Sequence, residues 1–597
     1  MKRTIYYKVR KMAKGILPFY LFTLLPLMTS CVDTVILPDN KTVDDDFWQK
    51  KSEVDAVMST AYAQLRDEAA IRNMIVWGDF RSDELNMTTG LPTGAAYRTA
   101  LQQIYSLNIE TENAFTSWYP FYSAINYCNL VLEKAENVIA VDPDYTRGDY
   151  EANKAQALAL RAFCYFYLTK VFHDIPVTPG AYMNSSADLN APQVAPDSVI
   201  TMCIRDLEEA LKNAIPGNTY GDWRDKGYLN KDGINAVLAD IYLWRASVNR
   251  DAADYQKCVD YCDAVIKAKK QAYEEGGKRH RWGEDDVEKD YYLSDYDDMY
   301  SDLFGQNGQN ADESIFELQF SNSNVTNKGL DQMYYRYNNA SSNSYGYLKA
   351  APLYGTVKSD GSGIWFNNVD QRLYEFLYDA TSSSVEQFGV RKFVATVSAG
   401  VNNSADSHRE SRANMRQNWI LYRLTDVMLM KAEALVQLYE FEKQAALADN
   451  RAADETYNQT AFDICKFVND RALSDANKSS YAMKYTTYKD KMESLVLAER
   501  ARELCFEGKR WFDLMRYNYR HMATKADLTK KLSDKDYTVV ANSSEFFELA
   551  LRKYAVPSAM KAKMRDERYL YMPLNQDEVE LNKNLQQNPV YKSAAKY

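Results

Sequence analysis

Apolar residues recur at the spacing of one helical face through most of this 597-residue chain. In residues 52–69 they follow the i, i+3, i+4, i+7 pattern, and Ser52 stands where an N-cap is expected. The same pattern predicts further helices at residues 113–139, 150–173, 197–214, 231–248, 252–270, 418–440, 458–473 and 488–517. Strand-like alternation is scarce, and residues 314–320 are the best short candidate. The sequence therefore predicts a mainly α-helical fold.

The predicted helices fall into pairs that short polar turns separate. The pairs join 154–173 to 197–213, 420–439 to 460–473, and the two halves of 234–266. Small residues at the crossing, such as Ala236 and Ala239, with Tyr242 one turn on, are typical of tetratricopeptide hairpins. The period is not a regular 34 residues, so we expect a tetratricopeptide-like scaffold whose stacked hairpins present a surface.

Residues 271–417 differ in character from the rest of the chain. Gly, Ser and Asn are dense there, and Tyr and Trp are interleaved with them. Long loops within a compact protein are typical of function or disorder, and the aromatic content argues against simple disorder. We expect a loop-rich insertion that carries the ligand-binding region, between an N-terminal scaffold at 46–270 and a C-terminal scaffold at 418–597.

The first thirty residues have the order of a secretory signal. A basic stretch precedes an apolar run at 16–28, which Pro18 and Pro26 interrupt. A membrane-spanning helix needs about 20 apolar residues, so this run predicts a signal peptide instead. The run ends in Leu-Met-Thr-Ser before Cys31, which predicts lipidation of Cys31 and a polar tether at 31–45. The alternative is an ordinary signal peptide followed by an unmodified cysteine.

The charge and the cysteines narrow the class of protein. The formal net charge is −10, and the first thirty residues hold six basic residues and no acidic one, so the remainder is still more acidic. This balance argues against nucleic acid or an anionic membrane surface as the main partner. The seven other cysteines form no CxxC pair and sit mostly in apolar helical patterns, which predicts buried free thiols.

Motifs for catalysis or cofactor binding are absent from the sequence. The chain has only four histidines and lacks HExxH, GxSxG, a Walker A loop and GxGxxG. Carboxylates cluster at 83–84, 284–286 and 295–298. Such clusters could serve a glycosidase or bind calcium, but EF-hand spacing is missing and a solvated loop face is the simpler interpretation. We predict no metal and no cofactor, whereas the missing motifs exclude an enzyme only weakly, because the members of a catalytic triad need not be local in sequence.

The C-terminal block 498–513 is dense in charge. Glu499, Glu503 and Glu507 fall on one helical stripe, and Arg500 and Arg510 are available to pair with carboxylates. One interpretation is a carboxylate site, and the other is an ion-pair lattice that ties the last hairpin to the scaffold. Because apolar residues are threaded through the same turns, we favour the lattice.

Several motifs together closely resemble the SusD/RagB family. They are ERARELCFEGKRWFDLMRY at 499–517, LRAFCYFYLTKVFHDIPV at 160–177, YRLTDVMLMKAEAL at 422–435, GDFRSDEL at 78–85 and YMPL at 571–574. The resemblance spans nearly the whole chain after the signal and keeps the motif order. The insertion 271–417 is the least matched part.

The resemblance implies a fold, a location and a partner. It implies a SusD-like helical fold and a lipoprotein on the outer-membrane surface of a Gram-negative bacterium of the Bacteroidetes type. Such a protein captures oligosaccharide without catalysis and delivers it to a SusC-like TonB-dependent transporter. A peptide-capturing, RagB-like lipoprotein is the alternative within the family, and a surface glycosidase is the alternative outside it.

The candidate ligand-binding residues follow from how proteins bind sugars. An aromatic ring covers the apolar C–H face of a sugar, and polar side chains satisfy its hydroxyl groups. The predicted aromatic platforms are Trp282, Tyr296, Tyr345 and Trp365, and the predicted polar partners are Arg81, Asp83 and Asn367. Each aromatic could instead pack the insertion onto the scaffold. Four further tryptophans on apolar helical faces are predicted to be core: Trp118, Trp244, Trp419 and Trp511.

Overall fold

The structure is a computed structural model of the full chain. The residues that it describes are 47–88, 91, 94–183, 190–275, 291, 293–294, 303–304, 309–320, 325–334, 346–356, 362–377, 389–393 and 416–591. The predicted signal, tether and lipidated Cys31 lie outside the described residues, as does much of the predicted insertion.

Helices dominate the described residues, which agrees with the predicted fold class. In the N-terminal half they are α1 (Lys51–Leu65), α2 (Glu68–Ile75), α3 (Arg98–Tyr105), α4 (Tyr119–Val138), α5 (Arg147–Phe172), α6 (Pro196–Asn213), α7 (Arg224–Gly227), α8 (Lys231–Asn249) and α9 (Ala252–Glu275). Three short helices follow: α10 (Lys328–Met333), α11 (Pro352–Gly355) and α12 (Arg372–Phe376). The remainder are α13 (Leu424–Ala448), α14 (Thr456–Arg471), α15 (Asp475–Lys478), α16 (Tyr485–Tyr488), α17 (Met492–Glu503), α18 (Arg510–His521), α19 (Ser544–Ala550), α20 (Ser558–Met564) and α21 (Gln576–Leu581).

The three predicted hairpins are present and stack side by side. Helix α5 packs on α6, α8 packs on α9, and α13 packs on α14. Helix α4 joins α1 to α5, and α9 also packs on α13, so the hairpins form one continuous array. Ala236 and Ala239 are fully buried in α8, as expected of small residues at a helix crossing. The tetratricopeptide-like scaffold is confirmed.

Local sequence signals set where the main helices begin and end. The Thr146 hydroxyl accepts a hydrogen bond from the Asp149 N–H at 3.2 Å and caps α5. The Asn230 side chain accepts from the N–H groups of the first turn of α8 and caps that helix. Helix α5 ends where His173 adopts a positive φ of 72°, and the His173 ring contacts the Asp174 carboxylate at 3.0 Å. His173 is thus the C-terminal cap of α5.

Three of the predicted helices differ from the structure. The segment 52–69 breaks after Leu65, because Asp67 accepts a hydrogen bond from the Ala69 N–H and starts α2. The segment 418–440 begins as strand β6 (Trp419–Arg423), which pairs with a strand that is distant in sequence. The segment 488–517 is interrupted between α17 and α18, where Phe506 and Gly508 have positive φ.

The described strands form three two-stranded antiparallel ladders. Strand β4 (Ser314–Leu318) pairs with β6, and this agrees with the strand predicted at 314–320. Strand β2 (Ile175–Pro176) pairs with β3 (Gln193–Val194) next to the end of α5. Strand β1 (Leu85–Met87) pairs with β5 (Leu348–Ala350), so a segment of the predicted insertion lies directly on the N-terminal scaffold.

A buried ion-pair lattice joins the insertion to the C-terminal scaffold. Arg423 contacts Glu503 at 2.8 Å and Glu507 at 2.8 Å, and all three side chains are buried. Arg372 and Lys392, both from the predicted insertion, contact the same glutamates at 3.1 and 2.5 Å. The nearby guanidinium groups hold the pKa of Glu503 well below its usual range despite burial. The lattice interpretation of the C-terminal block is confirmed.

Cysteines and tryptophans occupy the core as predicted. The seven cysteines among the described residues are buried and free. The four tryptophans predicted as core are also buried: Trp118, Trp244, Trp419 and Trp511. In the described part of the chain, no helix is both long and apolar enough to cross a bilayer.

Candidate functional site

The pairing of β1 with β5 brings two distant segments to one edge of the scaffold. Leu85 pairs with Ala350 and Met87 with Leu348, so Thr88 lies opposite Tyr347. The Thr88 N–H donates to the Tyr347 carbonyl at 2.9 Å, and the Thr88 hydroxyl donates to the Gly346 carbonyl at 2.8 Å. These hydrogen bonds fix the backbone of Tyr347 where the ladder ends.

Two tyrosine rings meet beside this ladder. The rings of Tyr97 and Tyr347 are 5.4 Å apart between centroids and cross at 78°, an edge-to-face contact. Tyr97 also contacts Phe115, which is buried, so the pair stands on the core. Both tyrosines are half-buried.

Polar groups surround the two rings. The Arg72 guanidinium lies 4.7 Å from the centroid of the Tyr97 ring and donates to the Gln332 side chain at 2.8 Å. Antiparallel register places Asn86 on the same face of the ladder as Tyr347. The Asn86 Oδ1 is buried and accepts no hydrogen bond from the described residues. We call Asn86, Tyr97, Tyr347, Arg72 and Gln332 the tyrosine cluster.

Arg81 and Asp83 occupy the core, which corrects their prediction as ligand contacts. Asp83 is 0% exposed and forms an ion pair with Arg510 at 2.9 Å. Arg81 donates to the Tyr569 carbonyl at 2.9 Å, and its guanidinium lies 4.5 Å from the Trp511 ring. Burial lowers the pKa of Arg81 to about 10. The physical reason is that both side chains have partners within the protein, and the buried π-helical turn Val76–Phe80 directly precedes them.

Trp365 and Asn367, which were also predicted to contact a ligand, instead contact other residues of the protein. Trp365 is 8% exposed and packs between Tyr354, at 5.8 Å, and the guanidinium of Arg510, at 5.0 Å. The Asn367 Oδ1 accepts hydrogen bonds from the Val369 and Asp370 N–H groups at 3.1 and 2.9 Å. Trp365 therefore packs the insertion onto the scaffold, which is the alternative to ligand binding stated above for each predicted aromatic platform.

Other predicted site residues lie outside the described residues. They are Trp282, Tyr296 and Tyr345, together with the acidic runs 284–286 and 295–298. Their roles in binding stay predictions. Among the residues that the structure does describe, no three potential metal ligands come together.

Sequence reasoning missed Tyr97, Arg72 and Gln332 because none lies in a motif. What unites them is the β1–β5 ladder, whose strands are more than 250 residues apart in sequence. One local signal was available in the sequence: Tyr345 and Tyr347 alternate just before residues 348–350, and such a spacing is the one that places side chains on one face of a strand.

Comparison with known proteins identifies related families and folds. The model of the SusD family matches residues 379–591, and a model described as starch-binding associating with outer membrane matches residues 37–243. The SusD-like protein P38 of Formosa agariphila is 24% identical over 517 residues, which cover 84% of this chain and 90% of that protein. The SusD-like protein P2 of the same organism is 22% identical over 518 residues, or 83% of this chain and 89% of that protein.

Solved structures with the same fold cover the chain almost completely. A SusD homologue from Bacteroides thetaiotaomicron has a TM-score of 0.64 at 16% identity and covers 91% of this chain and 98% of that one. A surface glycan-binding protein A from Bacteroides uniformis has a TM-score of 0.60 at 17% identity, with coverages of 90% and 99%. At these identities the structural likeness establishes the fold.

Proposed function

Because this chain belongs to the SusD family, we propose that it is a cell-surface protein that binds glycans without chemically transforming them. The observation that carries the proposal is the edge-to-face pair of Tyr97 and Tyr347, which is half-buried and flanked by Arg72. The surface glycan-binding protein that shares the fold supports the same ligand class. The tyrosine cluster is the proposed glycan site.

The chemistry of the tyrosine cluster suits a sugar. A pyranose presents apolar C–H groups on one face, which the tyrosine rings can cover, and hydroxyl groups at its edge. Arg72 and Gln332 supply donors for those hydroxyls, and the unsatisfied Asn86 Oδ1 supplies an acceptor. Since an open site leaves much of the ligand in water, a single site should bind at roughly micromolar to millimolar affinity.

The location and partner follow from the family and from the N-terminal sequence. A family described as associating with outer membrane, together with the signal before Cys31, supports a lipoprotein on the outer-membrane surface. Resemblance to SusD-like proteins supports delivery of the bound glycan to a SusC-like TonB-dependent transporter. We expect Cys31→Ala to release the protein from the membrane and to abolish palmitate labelling. Membrane retention and labelling that survive Cys31→Ala would contradict the anchor.

The glycan site is tested by affinity electrophoresis of the purified protein in gels that contain plant, host or microbial polysaccharides. We expect one polysaccharide to retard the protein, and Tyr97→Ala with Tyr347→Ala to remove the retardation. Tyr481→Ala is the matched control, because Tyr481 is an exposed tyrosine that lies outside the cluster. Retardation that persists in the double variant would refute the tyrosine cluster as the site.

Two further assays of the same purified protein distinguish the alternative functions. Incubation with the retarding polysaccharide should release no new reducing ends, whereas a glycosidase would release them. Retention of a peptide mixture without any polysaccharide retardation would move the protein to the peptide-capturing branch. Release of new reducing ends, or retention of peptides without polysaccharide retardation, would overturn non-catalytic glycan capture as the function.

A further inference from the structure

A second cavity lies apart from the tyrosine cluster. It has a volume of about 490 Å³ and lies between the α6–α8 connection, the last turns of α9 and the turn before β4. This size is within the range of ligand pockets, about 300–1,000 Å³. Its lining includes Trp223 and the polar residues Asn218, Asp222, Lys226, Lys269 and Asn310. We call it the Trp223 cavity.

Trp223 provides a fixed aromatic surface at the mouth of this cavity. It is 43% exposed, which is unusual for so large an apolar side chain. Its ring meets the edge of Tyr228 at 5.3 Å, and it covers Gly227, where an added Cβ would come within 2.8 Å of the indole. The indole is thus packed against Tyr228 and Gly227, and the Trp223 side chain remains partly exposed.

The loop that carries Trp223 is held in one conformation by its own carboxylates. Asp225 accepts hydrogen bonds from the Tyr220 N–H at 2.9 Å and the Gly221 N–H at 2.7 Å. Asp222 forms a two-pronged contact with Arg224 at 3.0 and 2.7 Å. Because the loop is ordered before any ligand arrives, binding there loses little conformational entropy.

Two buried lysines supply donors on the inner wall. Lys269 donates to the carbonyl groups of Asp312 at 3.0 Å and Ser314 at 2.5 Å, and Lys226 lies beside Asn218 at 3.5 Å. The Lys269 side chain also hydrogen-bonds to Lys226, and Lys226, with three donors, can donate a further hydrogen bond to a ligand oxygen. Burial and the adjacent Lys226 hold the pKa of Lys269 well below its usual value.

The charges around the cavity favour a neutral ligand. Three aspartates, Asp222, Asp225 and Asp312, and the amino groups of Lys226 and Lys269 all line it. An anionic ligand would meet the three carboxylates, and a cationic one would meet the buried Lys226 ammonium group. A neutral molecule rich in hydroxyls can accept from the lysines, donate to the carboxylates and stack on the indole.

We propose that the Trp223 cavity is a second saccharide site, which holds one neutral pyranose residue against Trp223. It takes a glycan as its ligand and in that respect rests on the proposed function, but it does not depend on the tyrosine cluster. Two sites on one chain would hold a long polysaccharide more tightly than either site alone, because the second contact becomes intramolecular.

The cavity is tested by fluorine NMR of the full chain labelled with 5-fluorotryptophan. The chain has nine tryptophans, and Trp223→Phe assigns the Trp223 resonance by its disappearance. The probes are the methyl glycosides of glucose, galactose, mannose and xylose, with methyl glucuronoside as the anionic comparison. We expect at least one neutral glycoside to shift the Trp223 resonance with saturation near millimolar concentration, and the shift to persist in the Tyr97→Ala, Tyr347→Ala double variant.

Three results would overturn this assignment. They are a Trp223 resonance that no neutral glycoside moves, one that the glucuronoside moves at lower concentration, and a shift that the double variant abolishes. In polysaccharide gels we further expect Trp223→Ala to weaken retardation about tenfold or less, and Tyr481→Ala to leave it unchanged. If no polysaccharide retards the unmodified protein, the proposed function fails, while the methyl glycoside titration still decides the cavity.

Discussion

The Asp83 carboxylate and the Arg510 guanidinium form a buried ion pair, with Asp83 Oδ1 2.9 Å from Arg510 Nε. The two residues lie 427 positions apart and tie the segment after α2 to the start of α18. The neighbouring Asp79 accepts from the Gly508 N–H at 2.7 Å. Two of the motifs that identify the family, 78–85 and 499–517, therefore contact each other in the interior of the protein.

We predict that Asp83→Ala strongly destabilises the protein, because it leaves the Arg510 charge buried without its partner. Loss of one member of a buried ion pair typically costs about 3–5 kcal/mol. Denaturant unfolding measures the loss. Glu136→Ala breaks the exposed pair with Arg147 and is the control, for which we expect no measurable change. Equal midpoints for the two variants would refute the structural role of Asp83.

We predict that the protein loses stability between about pH 4 and pH 2. Burial alone would raise the pKa of Asp426, but Lys509 and Arg500 lower it to about 2. In the same way, Arg516 and Arg520 hold the pKa of Glu433 well below its usual value. Because these pKa values are depressed in the folded state, their stabilisation is complete above the unfolded value, about 4, and is lost as pH falls through the folded value. Thermal unfolding at several pH values measures the effect, and a melting temperature that stays constant from pH 5 to pH 2 would contradict it.

We predict that Gly78→Ala prevents normal packing. A Cβ at Gly78 would lie 2.1 Å from the Gly508 carbonyl oxygen, and backbone cannot give way as a flexible side chain can. We expect low soluble yield or a strongly reduced melting temperature. Gly94→Ala is the matched control, since nothing lies within 4 Å of a Cβ there. Similar melting temperatures for both variants would show that the two backbones are not in contact.

We predict that Asn86→Ala weakens glycan binding without lowering the thermal stability of the protein. The Asn86 Oδ1 is buried without a hydrogen-bond partner among the described residues, so its removal should not lower the melting temperature. If a sugar hydroxyl donates to this atom, the variant should lose about tenfold in affinity for the retarding polysaccharide. Gel retardation and thermal unfolding of the same preparation measure both effects. Unchanged retardation would remove Asn86 from the glycan site.

The helical scaffold was predictable because helix formation is largely local. Apolar spacing located the long helices and paired them correctly. The errors fall where a distant partner competes with local preference. Residues 419–423 look helical by spacing, but they form a strand because β4 supplies hydrogen bonds across the core.

The glycan site was less predictable, because exposure is a tertiary property. Arg81, Asp83 and Trp365 have the residue types of a sugar site, yet each is buried by neighbours distant in sequence. Trp223 has the same side chain as Trp365 and lies in a short loop that no motif marks, but its indole is open. Composition cannot distinguish these two tryptophans.

The sequence alone determined the helical class, the hairpin pairing and the family, since each depends on patterns that adjacent residues carry. It also indicated that Glu499, Glu503 and Glu507 bind arginines rather than a ligand. Only the tertiary structure decided which charges and rings are enclosed and which face solvent. Desolvation depends on all atoms around a group, and here those atoms come from segments as far apart as Asp83 and Arg510.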